Sequence, residues 1–449
     1  MGRYLWLAPL ALTGCSAAWR PDFDRLEQDV ATLAVRHRTA PAGPSTDPEL
    51  DRLLSAPLDL DALLQVALER NPELREAVAR TQAGIEAVNR AGSLDDPMLR
   101  FEAWAVPLRK PAAFNRDDTN MLGLQQNLPF PGNLSLRAES ALRDAEAMYQ
   151  MYREKERDMI AQVKKAYYDY FMLSKELQIH LEHVKILEEF EKISDAKFRT
   201  GTVSQQDVLK PQVELVMLHN DVLFIEQKIE SARAAINVLL NRTDDAPLGK
   251  PKEIAPTDER YDLKQLQARA LEVRPEILAA TFKMKSSKAG LELAEREATY
   301  PDFSIGADYW QMPDRDDAYG LMFSVNLPWF TGKRSAEARR MKLEARADEI
   351  AIERVRNRVL YEVRDGFLRV EASRKSAILY KGELLPKSTQ SVEVSRASYE
   401  KEKASFLDLL DAERSQRDIK LGYYKSLAEY ASALADLERA VGADLRRKP

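Results

Sequence analysis

Three clusters of side chains stand at spacings that could do chemistry. Asp408 and Asp411 are three residues apart, which on a helix puts both carboxylates on one face. Such a pair attracts cations and repels anions, or else it caps a helix and carries solvated charge. Ser405 precedes Asp408 by three residues and Ser204 precedes Asp207 by three. At that spacing a serine caps a new helix and the aspartate answers it, with the negative charge at the helix N-terminus. Gly201, just upstream, can take the left-handed conformation that ends a helix without steric cost. His180 and His183, with Glu182 between them, could suggest a metal site. Two histidines at i, i+3 fall far short of a ligand set, so they read as solvated or interhelical positions. No metal and no cofactor is expected. The sequence contains no glycine-rich phosphate loop, zinc-protease helix or nucleophile elbow, and it does not read as an enzyme.

The one cysteine, Cys15, excludes a disulfide framework and a thiolate metal cluster. Residues 1–14 read as an export signal, with Arg3 followed by the apolar run Tyr4–Leu12, too short to span a bilayer. The run ends Leu12-Thr13-Gly14-Cys15, which resembles the bacterial lipobox, where the cysteine is acylated and becomes the mature N-terminus. The other reading is an ordinary signal cut nearby, with an incidental cysteine. Stable anchoring takes more than one acyl chain, which a full lipoprotein anchor carries. By the same resemblance, Ser16 rather than Asp after the cysteine favours the outer membrane. No later run of 18 apolar residues exists, so a membrane could be crossed only as a closed barrel. With 67 basic and 72 acidic residues, the net charge of −5 gives no reason to expect nucleic acid.

These residues must be positioned by a chain that is written twice. Leu60, Leu63, Ala67-Leu68-Glu69 and Pro72-Glu73 recur as Leu263, Leu266, Ala270-Leu271-Glu272 and Pro275-Glu276. Gly123-Leu124 and Asn127-Leu128-Pro129 return as Gly320-Leu321 and Asn326-Leu327-Pro328, and Phe198, Ser204 and Asp207 return as Tyr399, Ser405 and Asp408. The organisation expected is a signal at 1–14, a lipidated and irregular tether at 15–57, and repeats at 58–250 and 251–449. Each repeat reads helix, strand, strand, long helix, tight turn, helix. First helices are expected near 58–93 and 261–297, strands near 97–107, 119–129, 301–312 and 318–328, and long helices near 133–198 and 333–399. A helix of that length is a rod of about 100 Å. Its apolar residues form two adjacent stripes, one through Val163, Tyr170, Leu177 and Val184, the other through Met172, Ile179, Ile186 and Phe190. Two stripes let one helix touch neighbours on both sides, as in the wall of a hollow cylinder, although the interior of a compact bundle would read alike. The strands alternate: Phe303, Ile305, Ala307 and Tyr309 oppose Ser304, Gly306 and Asp308, and Leu99, Phe101 and Ala103 oppose Arg100 and Glu102. Such strands suit a membrane barrel with a wet lumen, but four cannot close one. Either several chains contribute or the sheet is not a barrel.

The lipobox, the paired Asn-Leu-Pro strand endings and the turn motif from Phe198 to Leu209, repeated from Tyr399 to Leu410, resemble the outer-membrane factor family, whose best-known member is TolC. The resemblance covers roughly residues 58–441. Asp95-Asp96-Pro97-Met98 and Asn127-Leu128-Pro129-Phe130-Pro131-Gly132 resemble its heavy-metal efflux branch. It implies a mainly α fold with a β-barrel contribution, in a homotrimer whose twelve strands close a barrel in the outer membrane and whose helices form a periplasmic tunnel. It implies a passive exit duct for metal ions, drugs or other small molecules, working with a periplasmic adaptor and an inner-membrane pump of the resistance-nodulation-division type. Asp408 and Asp411 match the acidic rings of the tunnel's periplasmic gate, and Asp207 would bond Tyr399 across the closed tips. Gly201, Ser204 and Ser405 would shape the tip turns. Copy two has Glu402 where the family favours Gly, so that turn is expected to bend differently. The competing reading is a periplasmic coiled-coil adaptor or structural lipoprotein without a pore.

Overall fold

The computed structural model describes residues 18–38, 43–44, 47–103, 120–254, 259–312, 316–329, 332–401 and 403–445. In chain order they form α1 (Arg20–Arg38), α2 (Pro48–Ser55), α3 (Leu60–Arg70), α4 (Pro72–Ala91), β1 (Met98–Ala103) and β2 (Asn120–Leu128). Next come α5 (Asn133–Arg199), α6 (Gln205–Leu239), α7 (Leu263–Val273), α8 (Pro275–Thr299), β3 (Phe303–Gln311) and β4 (Ala318–Val325). The chain ends with α9 (Lys333–Leu379), a π-helical turn (Tyr380–Leu384), α10 (Leu385–Glu400) and α11 (Phe406–Val441). The duplicated module is therefore present, with three departures from expectation. All three have a physical cause.

The first helix of each repeat is broken in two. Asn71 and Arg274 precede prolines and take extended ψ values of 129° and 122°, because a following proline ring crowds the helical conformation. The tether is not irregular where it is described: α1 and α2 lie within it. Phe23, Leu26 and Val30 of α1 are buried against Ile85 and Val88 of α4 and Ala138, Leu142 and Ala145 of α5. Finally, the long helix of copy two is interrupted. Leu385 N–H donates to Tyr380 O, five residues back, so one residue is bulged out of the helix just before Pro386. The repeat offset is 200 at Gly132/Gly332 and 201 at Ser204/Ser405. The π turn is where the extra residue can be absorbed without rotating the helix beyond it.

The residues group into two compact units. One holds the sheet, with the strands antiparallel in the order β1-β2-β3-β4. The register aligns Arg100, Gly123, Asp308 and Gly320 in one row. Arg100 reaches over Gly123 to Asp308 at 3.2 Å. A Cβ on Gly123 would lie 2.2 Å from that carboxylate, so any larger residue would have to push the Asp308 side chain aside. Leu99, Phe101, Leu122, Leu124, Ile305, Tyr319, Leu321 and Phe323 occupy the other face and are exposed, Leu321 by 92%. The expected alternation is thus real, with its apolar side outward. Aromatic pairs flank this band: Phe130 stacks on Tyr300 at 4.4 Å near one end, and Tyr309 meets Tyr319 at 5.3 Å towards the other.

The second unit holds Ala34–Ala77, Tyr152–Ile277 and Val355–Pro449. Near the turns its core joins Val184, Leu187 and Phe190 of α5, Leu218 of α6 and Phe406, Leu409 and Leu410 of α11. Buried arginines tie the helix ends together. Arg274 grips Glu276 at 2.6 Å, Glu362 at 2.6 Å and the Ala440 carbonyl at 2.5 Å.

Candidate gate at the tip turns

The turn between α5 and α6 is built by backbone geometry. Gly201 has φ +74°, the left-handed conformation glycine adopts freely. The N–H of Gly201 donates to Phe198 O and that of Thr202 to Lys197 O, both at 2.9 Å, the two bonds of a Schellman ending. In copy two, Lys403 N–H donates to Ser398 O at 2.9 Å, the counterpart of the Thr202 bond. The same closing bond therefore serves both turns despite the expected difference in bend, while Glu402 itself lies outside the described residues. Both new helices begin with the expected cap. Asp207 Oδ2 accepts from Ser204 N–H at 3.0 Å and from Ser204 Oγ at 2.7 Å. Asp408 Oδ2 accepts from Ser405 N–H at 2.9 Å and Oγ at 2.8 Å, and Asp408 N–H returns a bond to Ser405 Oγ at 3.2 Å. The bonds from Ser405 hold the Asp408 carboxyl below the usual carboxylate range. A cap of this kind stabilises a helix start by about 1 kcal/mol.

Asp411, one turn on, is 75% exposed and meets Arg414 at 3.5 Å. Leu407, Leu410 and Asp411 of α11 face Leu209, Lys210 and Val213 of α6 across a groove of about 360 Å³. Tyr399 packs edge-on against Phe406 at 5.8 Å, with Lys197 Nζ 4.1 Å from its ring centre. Its hydroxyl has no hydrogen-bond partner among the described residues. The structure thus brings Gly201, Ser204 and Asp207 into one turn and Ser405, Asp408 and Asp411 into the other, with Tyr399 beside Phe406. Cys15 lies outside the described residues.

One group near the turns escaped the sequence reading. Glu214 on α6 receives Arg414 through Nε at 3.0 Å and through Nη2; Arg417 Nη1 lies 3.6 Å away. Its only sequence signal was charge of opposite sign on two helices, which is common along helices of this composition. Of the two places open to the histidine pair, the interhelical one holds: His183 is 3% exposed and His180 is buried as well. Among the described residues no group of acidic, histidine or cysteine side chains could hold a metal ion, and no helix is long and apolar enough to cross a membrane.

Comparison with known proteins follows the same duplication. Residues 63–242 and 266–443 match the family model described as outer membrane efflux protein. The cobalt-zinc-cadmium resistance protein CzcC of Cupriavidus metallidurans is 23% identical over 334 residues, 73% of this chain and 78% of that protein. The solved structure of CusC superposes with a TM-score of 0.75 at 18% identity, covering 90% of this chain and 98% of that one. The Neisseria gonorrhoeae outer membrane channel MtrE, in its open state, gives a TM-score of 0.72 at 22% identity, covering 86% and 89%.

Proposed function

This chain belongs to the outer membrane efflux protein family, and from that premise we propose that three copies form the passive exit duct of a tripartite pump exporting metal ions. The observation that carries this reading is the sheet. It has four strands, one exposed apolar face, one polar face and two edge strands, β1 and β4. Lipid would cover the apolar face, and pairing of β4 with the β1 of a neighbour would remove the edges. Three chains then give twelve strands around a lumen lined by Arg100, Asp308 and Ser304, continued by a helical tunnel. Metal cargo is favoured by the likeness to CzcC; a periplasmic adaptor and a resistance-nodulation-division pump would supply selection and energy.

Cys15 is the acylated anchor in this reading. Trp19 Nε1 donates to Ser135 Oγ at 3.1 Å, seven residues beyond the end of β2. Trp19 stands four positions after Cys15, a reach of at most about 14 Å, which supports an anchor near the base of the sheet. The tip turns form the periplasmic gate. Asp408 and Asp411 from three copies would place six carboxylates in a narrow mouth, favouring cations, and Asp207 with Tyr399 would join the closed tips. The test is the double substitution Asp408→Asn, Asp411→Asn in planar bilayers. Block by divalent cations should weaken about tenfold; unaltered conductance and block would remove the gate assignment.

A further inference from the structure

We propose that Glu214 is the positioning residue of the gate, and that His183 buried beside it sets the acidity at which Glu214 lets the gate arginines go. The inference rests on the gate reading above. One carboxylate on α6 serves two guanidiniums on α11: Arg414, through Nε at 3.0 Å and through Nη2, and Arg417 at 3.6 Å. Arg414 also meets Asp411 at 3.5 Å. Glu214 therefore holds the helix that carries the gate carboxylates. The clasp has no counterpart at the repeat-related positions. At the offset of 201, Glu214 is matched by Ser415, and Arg414 and Arg417 by Val213 and Val216.

His183 Nε2 is buried without a hydrogen-bond partner. The charged groups facing it are His180 from its own helix, Glu214 from α6, and Arg417 and Asp418 from α11. A proton on this ring would place a buried cation beside Arg417 and compete for the carboxylate that both arginines need. Burial, with Arg417 adding to it, pushes the His183 imidazole down to about 4. Burial opposes ionisation of Glu214 too, but the bond from Arg414 and the two arginine charges outweigh it and keep the carboxyl below its ordinary value. A solvated histidine titrates near ~6.5. Any state in which α11 has swung away and wetted His183 therefore binds the proton more readily. The closed clasp is fully favoured above that value and loses ground as pH falls towards 4. Acid thus loosens the gate through a side chain that touches no cargo.

The experiment measures macroscopic conductance of the purified trimer in planar bilayers at pH 7.0 and 4.5, for the wild type, His183→Gln, His183→Met and Glu214→Gln. Heat-resistant trimer on gels serves as the check on folding. The wild type should conduct several-fold more at pH 4.5, both His183 variants should lose that rise, and Glu214→Gln should conduct at the high level at both values. A wild-type-like acid response in the folded His183 variants, or wild-type conductance of Glu214→Gln at pH 7.0, overturns the inference. A current that is present but equal at both pH values also sinks it, while leaving the channel intact. Absence of any current from the wild type and from the Asp408/Asp411 variant alike would instead overturn the channel itself.

Discussion

Glu154 shows how a single side chain in this fold can be held against its own charge. Burial pushes its carboxyl up to about 7, and Glu276 and Asp158 push the same way, against Arg274 and Arg358. Its folded value thus lies above its unfolded value of 4.5, so ionisation costs stability. The penalty is absent below pH 4.5, grows from there and is complete above pH 7. Glu154→Gln should raise the Tm of the trimer by about 1 °C at pH 8, a gain of ~1 kcal/mol per chain of 449 residues once solvent screening is allowed for, and leave it unchanged at pH 4. Thermal melts at the two values decide this; an equal shift at both would mean the charge is already relieved. Neighbouring Glu276 behaves oppositely: burial opposes its ionisation, but Arg274 overrides that and holds the carboxyl low. The two glutamates could not be told apart along the chain, since the distinction is the direct bond that Arg274 makes to Glu276.

At the scale of elements, the two long helices carry the same turn but not the same path. α5 runs unbroken from Asn133 to Arg199, whereas its counterpart passes through the π turn at Tyr380–Leu384. The extra residue was legible as the change in repeat offset, but its place was not. A bulge settles where the ladder is already weak, and Pro386 supplies that weakness by lacking an N–H. Gly382 stands in open space, where a Cβ would meet nothing within 4 Å. Deleting it should return the segment to a regular α-helix with α10 in register, and heat-resistant trimer should persist. Deleting Val363, buried in α9 with 0% exposure, should rotate every residue beyond it by about 100° and abolish the trimer. Equal loss from both deletions would mean that the π turn is not the site of the inserted residue. The breaks at Asn71 and Arg274 were likewise written in the sequence, as the residues before Pro72 and Pro275.

At the scale of the whole molecule, the two faces of the sheet should respond oppositely to charge. Leu321 and Ser324 lie on β4 and point to opposite sides. Leu321→Arg on the apolar face should cost about 2–4 kcal/mol at bilayer depth and remove the protein from the outer-membrane fraction. Ser324→Arg should leave it there and narrow the conductance. Equal membrane yields for the two variants would contradict a lipid-facing apolar side.

Periodicity and repetition along the chain were enough to determine the doubled module, the alternating strands and the capped turns, and to establish that four strands close no barrel alone. These depend on residues a few positions apart, where backbone geometry dictates the outcome. Tertiary structure alone decided the rest. That Arg100 lies across Gly123 on Asp308, that α1 is a packed helix rather than a tether, and that Glu214 clasps two arginines beside a dry His183 all depend on residues brought together from distant segments. Charge and burial act through space, and the chain order of a helix-rich sequence does not say which of its many acidic and basic residues will share a dry contact.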